Sequence, residues 1–578
     1  MSDALIARVE RWAGEIPDAP AYTFMDYSAG SDGVKRTLSW AKAHLKARAL
    51  AVRLREVTLP GERAAILAPQ GLEYVVAILG AMYARVVAVP LFAPDLPGHA
   101  DRLIRAYADA DPVCVLTTTT ALEGVRAFLD GGSAPRPKQV ITLDTVSDLL
   151  ADEWEPEPIG IDDLAYLQYT SGSTRVPTGV EISHANVTAN AEQLWEAFRA
   201  TPRVSTAALW LPLFHDMGLI ATIAAPMVGG NQAVFMDPVA FVMHPVRWLR
   251  MLSEHDDVFT GGPNFAYEYT AARVTEEEKA TLDLSGVSVM LNGAEPLRGS
   301  TIDRFSEAFA ACGLRPEAHT PGYGLAEATV FVTAMDRDLP ARVTRFDRDE
   351  LTAGRAVPVT GPSTGGRMVS DLVSCGVPTG QRVVIASESG TAKPDGEVGE
   401  IWVRGPNVSR AYWRDEERSA EVFGNVLDGE EGTWLRTGDL GVVHEGELYI
   451  TGRIKDLIIV DGRNHYPQDV EVTVQEADPA VRRDHVAAFA VAGEETERLV
   501  VVAERSRKAD GRDPAELTAN VRAAVAKNHD LRLHDFVLVE AGAVPRTSSG
   551  KIARRACVRA YLDGAFGARA AGSGDADS

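Results

Sequence analysis

Residues 63 to 94 read "RAAILAPQGLEYVVAILGAMYARVVAVPLFAP". The opening "RAAILAP" is a short apolar run of strand length, "GLEYVVAILGAMYA" is long enough for a helix, and "VVAVPL" is again strand-like. From Tyr74 the apolar content rivals that of a membrane span, but Arg85 in the middle and Pro90 near the end are both costly in lipid. The better reading is a buried helix running into a buried strand. The alternation continues through a helix near "HADRLIRAYADA", the strand "VCVLTT", the helix "ALEGVRAFLD" and the strand "KQVITL". Short apolar strands between helices imply an α/β protein with parallel sheets covered on both faces.

Farther along the texture changes. After about residue 397, "GEIWVRG" and "TWLRTGDLGVVHEGELYITGR" predict a β-rich segment, and "TGDLG" predicts a tight glycine turn holding Asp439. The last hundred or so residues alternate again, through "HVAAFAVAG", "RLVVVAERS", a helix near "ELTANVRAAVAKNHD" and the strand "DFVLVE". They predict a small separate α+β domain, and the small, acidic residues 566–578 predict a disordered tail. The N-terminal "MSDALIARVERWAGEIPDAP" predicts an amphipathic helix ending before Pro17 and no secretory signal.

With 578 residues the chain is too long for one core, so at least two domains are expected. Its net charge of −23 argues against general nucleic-acid binding. Four scattered cysteines, without a CxxC pair, point away from a disulfide framework or zinc site and towards a reducing cytoplasm.

Chemistry concentrates in a few motifs. "YTSGST", residues 169–174, presents hydroxyls and a glycine amide suited to phosphate oxygens, although taken alone such a run is better explained by an ordinary surface loop. It is not a Walker loop, which needs GxxxxGK[ST]. "TPGYGLAEAT" sets Tyr323 four residues before Glu327, "WLRTGDLG" presents Asp439, and "PRTSSGKIARR" sets Lys551 after a small polar loop. Taken singly these are a core tyrosine, a turn aspartate and a solvated lysine. Their joint occurrence in this order is not so explained.

Together with "LNGAEPLR" and "TGRIKDLIIVDGRNHYPQDVE", the motifs resemble those of the ATP-dependent adenylate-forming superfamily over nearly the whole chain. That superfamily includes acyl-CoA synthetases, nonribosomal peptide adenylation domains and luciferases. The resemblance implies a large N-terminal domain, residues 1–452, of parallel and mixed sheets flanked by helices with a small β-barrel. It also implies a hinge at 453–456 about Lys455, and a mobile α+β lid at 457–565.

For the nucleotide it implies that Tyr323 and Gly324 face adenine, with Gly293, Ala294 and Glu295 lining the purine pocket. Asp439 would accept the ribose hydroxyls and Arg453 would support it. Thr170, Ser171, Gly172, Ser173, Thr174 and Arg175 would contact the phosphates, and Glu327 would hold Mg²⁺. Lys551, with Thr170 and Glu327, would act in catalysis; His215, Asp216 and Gly322 would lie at the acyl site. For His215 a purely structural role remains open.

Many members read TSGTTGxPKG where this chain has "TSGSTRVPTG", so a lysine has become Thr178 and a glycine Arg175. The altered loop, with "WLPLFHDMGLI", "GGPNFAYEY" and "LVSCGVPTGQRVVI", resembles the fatty acyl-AMP ligase branch. That branch activates a fatty acid with ATP and passes the acyl group to an acyl carrier protein, and a characteristic insertion disfavours the lid rotation that CoA needs. Here the insertion maps to residues 349–371. The acyl pocket wall is expected around "LIATIAAPMVGG" and "HPVRWLRML". Glu181 stands where the family usually has an apolar residue and needs a partner if it faces inward.

Overall fold

The computed structural model describes residues 4–94, 100–169, 177–361, 368–460, 463–493, 497–507, 512–547 and 551–567. The opening stretch folds as its pattern predicts: strand Arg63–Ile66, helix Leu72–Tyr83, strand Val87–Pro90. Eleven of the twelve helix residues are buried, which explains an apolar character without amphipathic periodicity. Arg85 adopts a left-handed conformation just after the helix and pairs with Asp163 at 3.2 Å.

These strands form the centre of a six-stranded sheet ordered Gln139–Thr142, Cys114–Thr117, Arg63–Ile66, Val87–Pro90, Leu164–Tyr169, Gly179–Ser183. All neighbours are parallel except the last pair. A second sheet of nine strands runs Val377–Pro378, Phe331–Ala334, His319–Gly324, Val287–Gly293, Val258–Pro263, Thr206–Leu209, Gln232–Met236, Pro20–Asp26, Val34–Ser39. Its central strands are parallel and its margins antiparallel, so the sheets are mixed as well as parallel. A large apolar core joins the two sheets around Trp40, Tyr74, Tyr166 and Phe235.

A four-stranded antiparallel sheet follows, Arg382–Ala386, Gly399–Arg404, Leu435–His444 and Glu447–Arg453. Beyond Ile458 the apolar residues gather into their own cores, one about Val501 and Val521 and one about Phe489 and Cys557. They surround a three-stranded sheet of Val481–Val491, Arg498–Arg505 and Leu533–Val539. Residues 568–578 of the expected tail lie outside the described residues. Among the described residues no helix is long and apolar enough to cross a membrane.

Candidate active site

Parallel strands in the large sheet end together, and ligands of open α/β sheets bind beyond such carboxyl ends. Pro263 lies beside Gly293, and Asn292 beside Pro321 on the strand that ends Gly322-Tyr323-Gly324. The chain reverses sharply there. A Cβ on Gly324 would sit 1.7 Å from the Val330 carbonyl oxygen, so only glycine fits. Ala294 then takes a left-handed turn (φ 69°), and Glu295 accepts the Phe265 N–H at 2.7 Å. Burial pushes the Glu295 carboxyl above its ordinary range.

Tyr323, Asp439 and Arg453 form one polar group. The Tyr323 hydroxyl donates to Asp439 Oδ2 at 2.7 Å, and Arg453 Nε donates to Oδ1 at 3.0 Å. Burial, reinforced by the Asp439 carboxylate, raises the Tyr323 phenol far above its usual range. The glycine turn predicted around Asp439 is not a turn between strands. Asp439 lies inside the strand Leu435–His444, directly opposite Arg453 on the next strand. On its other side the pairing jumps from Glu400–Leu440 to Trp402–Arg436, and Gly438 takes φ 70°. The glycine therefore makes a bulge, which lets a ladder residue aim its side chain into the cavity.

Lys551 comes from the C-terminal region. The Thr547 N–H donates to the Lys551 carbonyl at 2.8 Å, and the Lys551 N–H donates to Thr547 Oγ1 at 3.1 Å. Burial first, then Arg453, lowers the Lys551 ammonium below the ordinary lysine range, while Asp216, Glu295 and Asp439 oppose that shift. Asp216, the first residue of a short helix, is raised by burial and partly restored by Lys551. His215 lines the same cavity, its ring centroid 5.2 Å from that of Phe214.

Lys455 occupies the turn Ile454–Asp456, and burial followed by Arg453 lowers its pKa. Arg554 holds the far side of this turn, 3.5 Å from Asp456 and 2.7 Å from Glu471. The structure thus brings together His215, Asp216, Gly293, Ala294, Glu295, Gly322, Tyr323, Gly324, Glu327, Asp439, Arg453, Lys455 and Lys551 around one cavity of about 1740 Å³. Thr170, Ser171, Gly172, Ser173, Thr174 and Arg175 lie outside the described residues.

An apolar arm of the cavity passes Trp195, Phe198, Ala207, Phe259 and Phe331, and takes Ala221, Ala225 and Pro226 from the segment predicted as wall. The other predicted wall segment, "HPVRWLRML", does not line it. Trp248 and Leu249 are instead buried in a separate core with Tyr267 and Phe305, because that helix packs on the opposite side of the strands.

Glu327 accepts the Tyr412 hydroxyl at 2.7 Å, a partner invisible in the sequence because 85 positions separate them. Among the described residues no group of three or more Asp, Glu, His or Cys could form a metal cage. A single oriented carboxylate fits Mg²⁺, which is usually held by one or two carboxylates, substrate phosphates and water. Glu181 finds its partner in Arg410, 3.2 Å away.

The segment 349–371 follows a hairpin strand and reaches two bodies. Its helix Arg348–Thr352 buries Leu351 against Phe346, Val398 and Tyr449. Arg348 donates to the Asn528 carbonyl at 3.1 Å, and the Ser370 hydroxyl donates to Asp469 at 3.0 Å, both acceptors being in the C-terminal region. Burial raises Asp469, and Arg348 opposes the shift. Residues 362–367 of the segment lie outside the described residues.

Residues 9–413 match the model of the AMP-binding enzyme family, and residues 455–570 match the AMP domain of Disco-interacting protein 2-like proteins. The chain belongs to the AMP-binding enzyme family. It is 44% identical to the long-chain-fatty-acid–AMP ligase FadD32 of Mycolicibacterium smegmatis, over 97% of this chain and 95% of that one. Identity to the long-chain-fatty-acid–AMP ligase FadD26 of Mycobacterium bovis is 42%, over 96% of both chains. It also resembles the crystal structure of a fatty acyl-adenylate ligase from L. pneumophila in complex with acyl adenylate and pyrophosphate. That likeness has a TM-score of 0.75 and 34% identity, covering 97% of each chain.

Proposed function

We propose that this protein is a fatty acyl-AMP ligase that charges a separate acyl carrier protein. The observation that carries the reading is a single cavity joining three things: the Tyr323–Asp439–Arg453 group, Lys551 and an apolar arm. Tyr323 and Gly324 would face adenine, with Gly293, Ala294 and Glu295 at its edge. The Asp439 carboxylate would accept both ribose hydroxyls. His215, Asp216 and Gly322 also line the cavity and would lie at the acyl site, and a fatty acyl chain would fill the apolar arm.

A carboxylate oxygen of the fatty acid attacks the α-phosphorus, forming a new P–O bond. The α–β bridging bond breaks, and its electron pair leaves on pyrophosphate. The nucleophile is already ionised at neutral pH, so no base is required. Positioning and charge neutralisation therefore provide most of the catalysis. Lys551 contributes a cation between the acyl carboxylate and the α-phosphate. Glu327, oriented by Tyr412, would hold Mg²⁺, which when bound neutralises phosphate charge. In the second half-reaction a phosphopantetheine thiol attacks the acyl carbon, and AMP leaves.

The arrangement around Lys455 supports a lid at 457–565 turning on a hinge at 453–456, with 1–452 as the body. Arg348 and Ser370 tie that lid to the segment 349–371, which favours a carrier-bound thiol over CoA as acceptor. A cytoplasmic setting suits both ATP and a carrier protein. The test is to incubate the protein with ATP, a fatty acid and excess CoA, and to separate the products by chromatography. Accumulated acyl-AMP, consumed when a carrier protein is added, is the expected result. Efficient acyl-CoA synthesis would favour a fatty acyl-CoA synthetase instead.

A further inference from the structure

Thr178 stands where many related loops carry a lysine, and the structure shows what meets it. Arg418, on the helix Glu416–Phe423, donates from its guanidinium to Thr178 Oγ1 at 2.6 Å. The same guanidinium lies 4.4 Å from the centroid of the Tyr412 ring, whose hydroxyl donates to Glu327 at 2.7 Å. A chain of contacts thus runs from the flank of the nucleotide loop to the carboxylate suited to Mg²⁺. The helix itself is anchored there, because Asp415 accepts the Arg418 N–H and Ser419 Oγ accepts the Tyr412 N–H.

Charge makes this arginine unusual. Its neighbours Arg410, Arg414 and Arg436 each face an acid, Glu181, Asp111 and Glu400 respectively. Among the described residues no carboxylate lies within ion-pair distance of Arg418, although it is half-buried, lines the cavity and belongs to a chain of net charge −23. Stacking occupies the face of a guanidinium and leaves its edge N–H groups for planar anions and phosphates. One such N–H goes to Thr178, and the residue itself lines the cavity.

We infer that Arg418 is the phosphate-binding cation that replaces the lysine absent at Thr178. It would hold the β- and γ-phosphates of ATP, and then the pyrophosphate that departs with the electron pair of the broken P–O bond. The assignment rests on the adenylate-forming reading under Proposed function. It adds to the sequence expectation, in which Arg175 contacts the phosphates, a second cation from a distant helix.

The experiment is fatty-acid-dependent pyrophosphate–ATP exchange with the full chain, run beside direct binding of Mg·ATP without fatty acid. Arg418→Gln keeps a planar donor for Thr178 and Tyr412 but removes the charge. It should raise KM for pyrophosphate and weaken Mg·ATP binding by about ten- to a hundredfold, the range of a lost charged hydrogen bond, with the fatty-acid KM unchanged. Adding Thr178→Lys to Arg418→Gln should recover most of the loss, since the charge returns to the same flank.

Unchanged pyrophosphate and Mg·ATP affinities in a folded Arg418→Gln protein would overturn the assignment. So would a phosphate defect confined to Arg175→Ala. A lower melting temperature with unaltered affinities would make Arg418 a structural brace and overturn it equally. If no fatty acid supports exchange in the unsubstituted protein, the ligase reading fails, while the Mg·ATP measurement still decides Arg418.

Discussion

The two sides of the cavity are built by different means. On the body side, Asp439 and Arg453 face each other across a strand pair, and Tyr323 reaches them from the end of the large sheet. Each side chain is oriented by backbone already committed to a ladder, so the group is set before any ligand arrives. On the C-terminal side, Lys551 is held by two hydrogen bonds with Thr547, and its charge is expensive where it sits because burial and Arg453 both disfavour it. A preorganised group suits binding. A cation placed at a cost, yet beside Asp216 and Glu295, suits a charge that develops only as the reaction proceeds.

That contrast has measurable consequences. Replacing Lys551 by alanine should remove about 3 kcal/mol of transition-state stabilisation, a hundredfold or more in acyl-AMP formation. ATP affinity should hardly change. A near-normal single-turnover rate would break the division between the two sides.

Asp439→Ala should act in the opposite way, weakening ATP binding by about 1.5–3 kcal/mol through loss of a charged acceptor. Titration calorimetry checks it, and an unaltered affinity would reduce Asp439 to a structural partner of Arg453.

The bridge between the sides is the segment 349–371. Arg348, just before the segment and bonded to its Val369 and Ser370, also donates to Asn528 in the C-terminal region, and Arg348→Ala removes that link. A net contribution of about 0.5–1.5 kcal/mol for such a bond corresponds to a few-fold shift in lid population. Deleting 349–371 should give more, since a bias of about 2.7 kcal/mol changes a population hundredfold. Acyl-CoA should then form while adenylation persists. Chromatography of both variants beside the unsubstituted protein tests this, and an absence of acyl-CoA from either would remove the segment from acceptor choice.

The smallest expected effect is in pH. Lys551 must carry its proton to neutralise phosphate charge, and its pKa lies below the ordinary lysine value. Activity should therefore fall as pH rises through that lowered value, earlier than the roughly 10.4 of a free lysine. Lys551→Arg, if active at all, should move this alkaline limb upward, because arginine stays charged. A limb that does not move belongs to another group.

Much of the fold was legible because the relevant signals are local. The strands and helices from Arg63 to Thr142 follow apolar run length, and the helix Ala7–Glu15 ends before Pro17 as its pattern indicates. Candidate residues were legible where a motif keeps them within a few positions, as with Tyr323 and Glu327. Asp439 was misplaced into a turn because a glycine in the left-handed region looks the same in sequence whether it ends a strand or bulges one. The wall segment "HPVRWLRML" was misjudged because apolar content does not say which side of a sheet a helix covers.

The amino-acid sequence by itself determined the alternation of elements, the order of the motifs and the chemical types gathered at the site. Those depend on neighbours along the chain and on residue chemistry. Only the tertiary structure decided that Glu181 faces Arg410, that Tyr412 orients Glu327, and that Arg418 stands over the position of the missing lysine. Each of these pairs joins residues tens to hundreds of positions apart. Their meeting is set by how sheets and helices pack, and no local pattern encodes it.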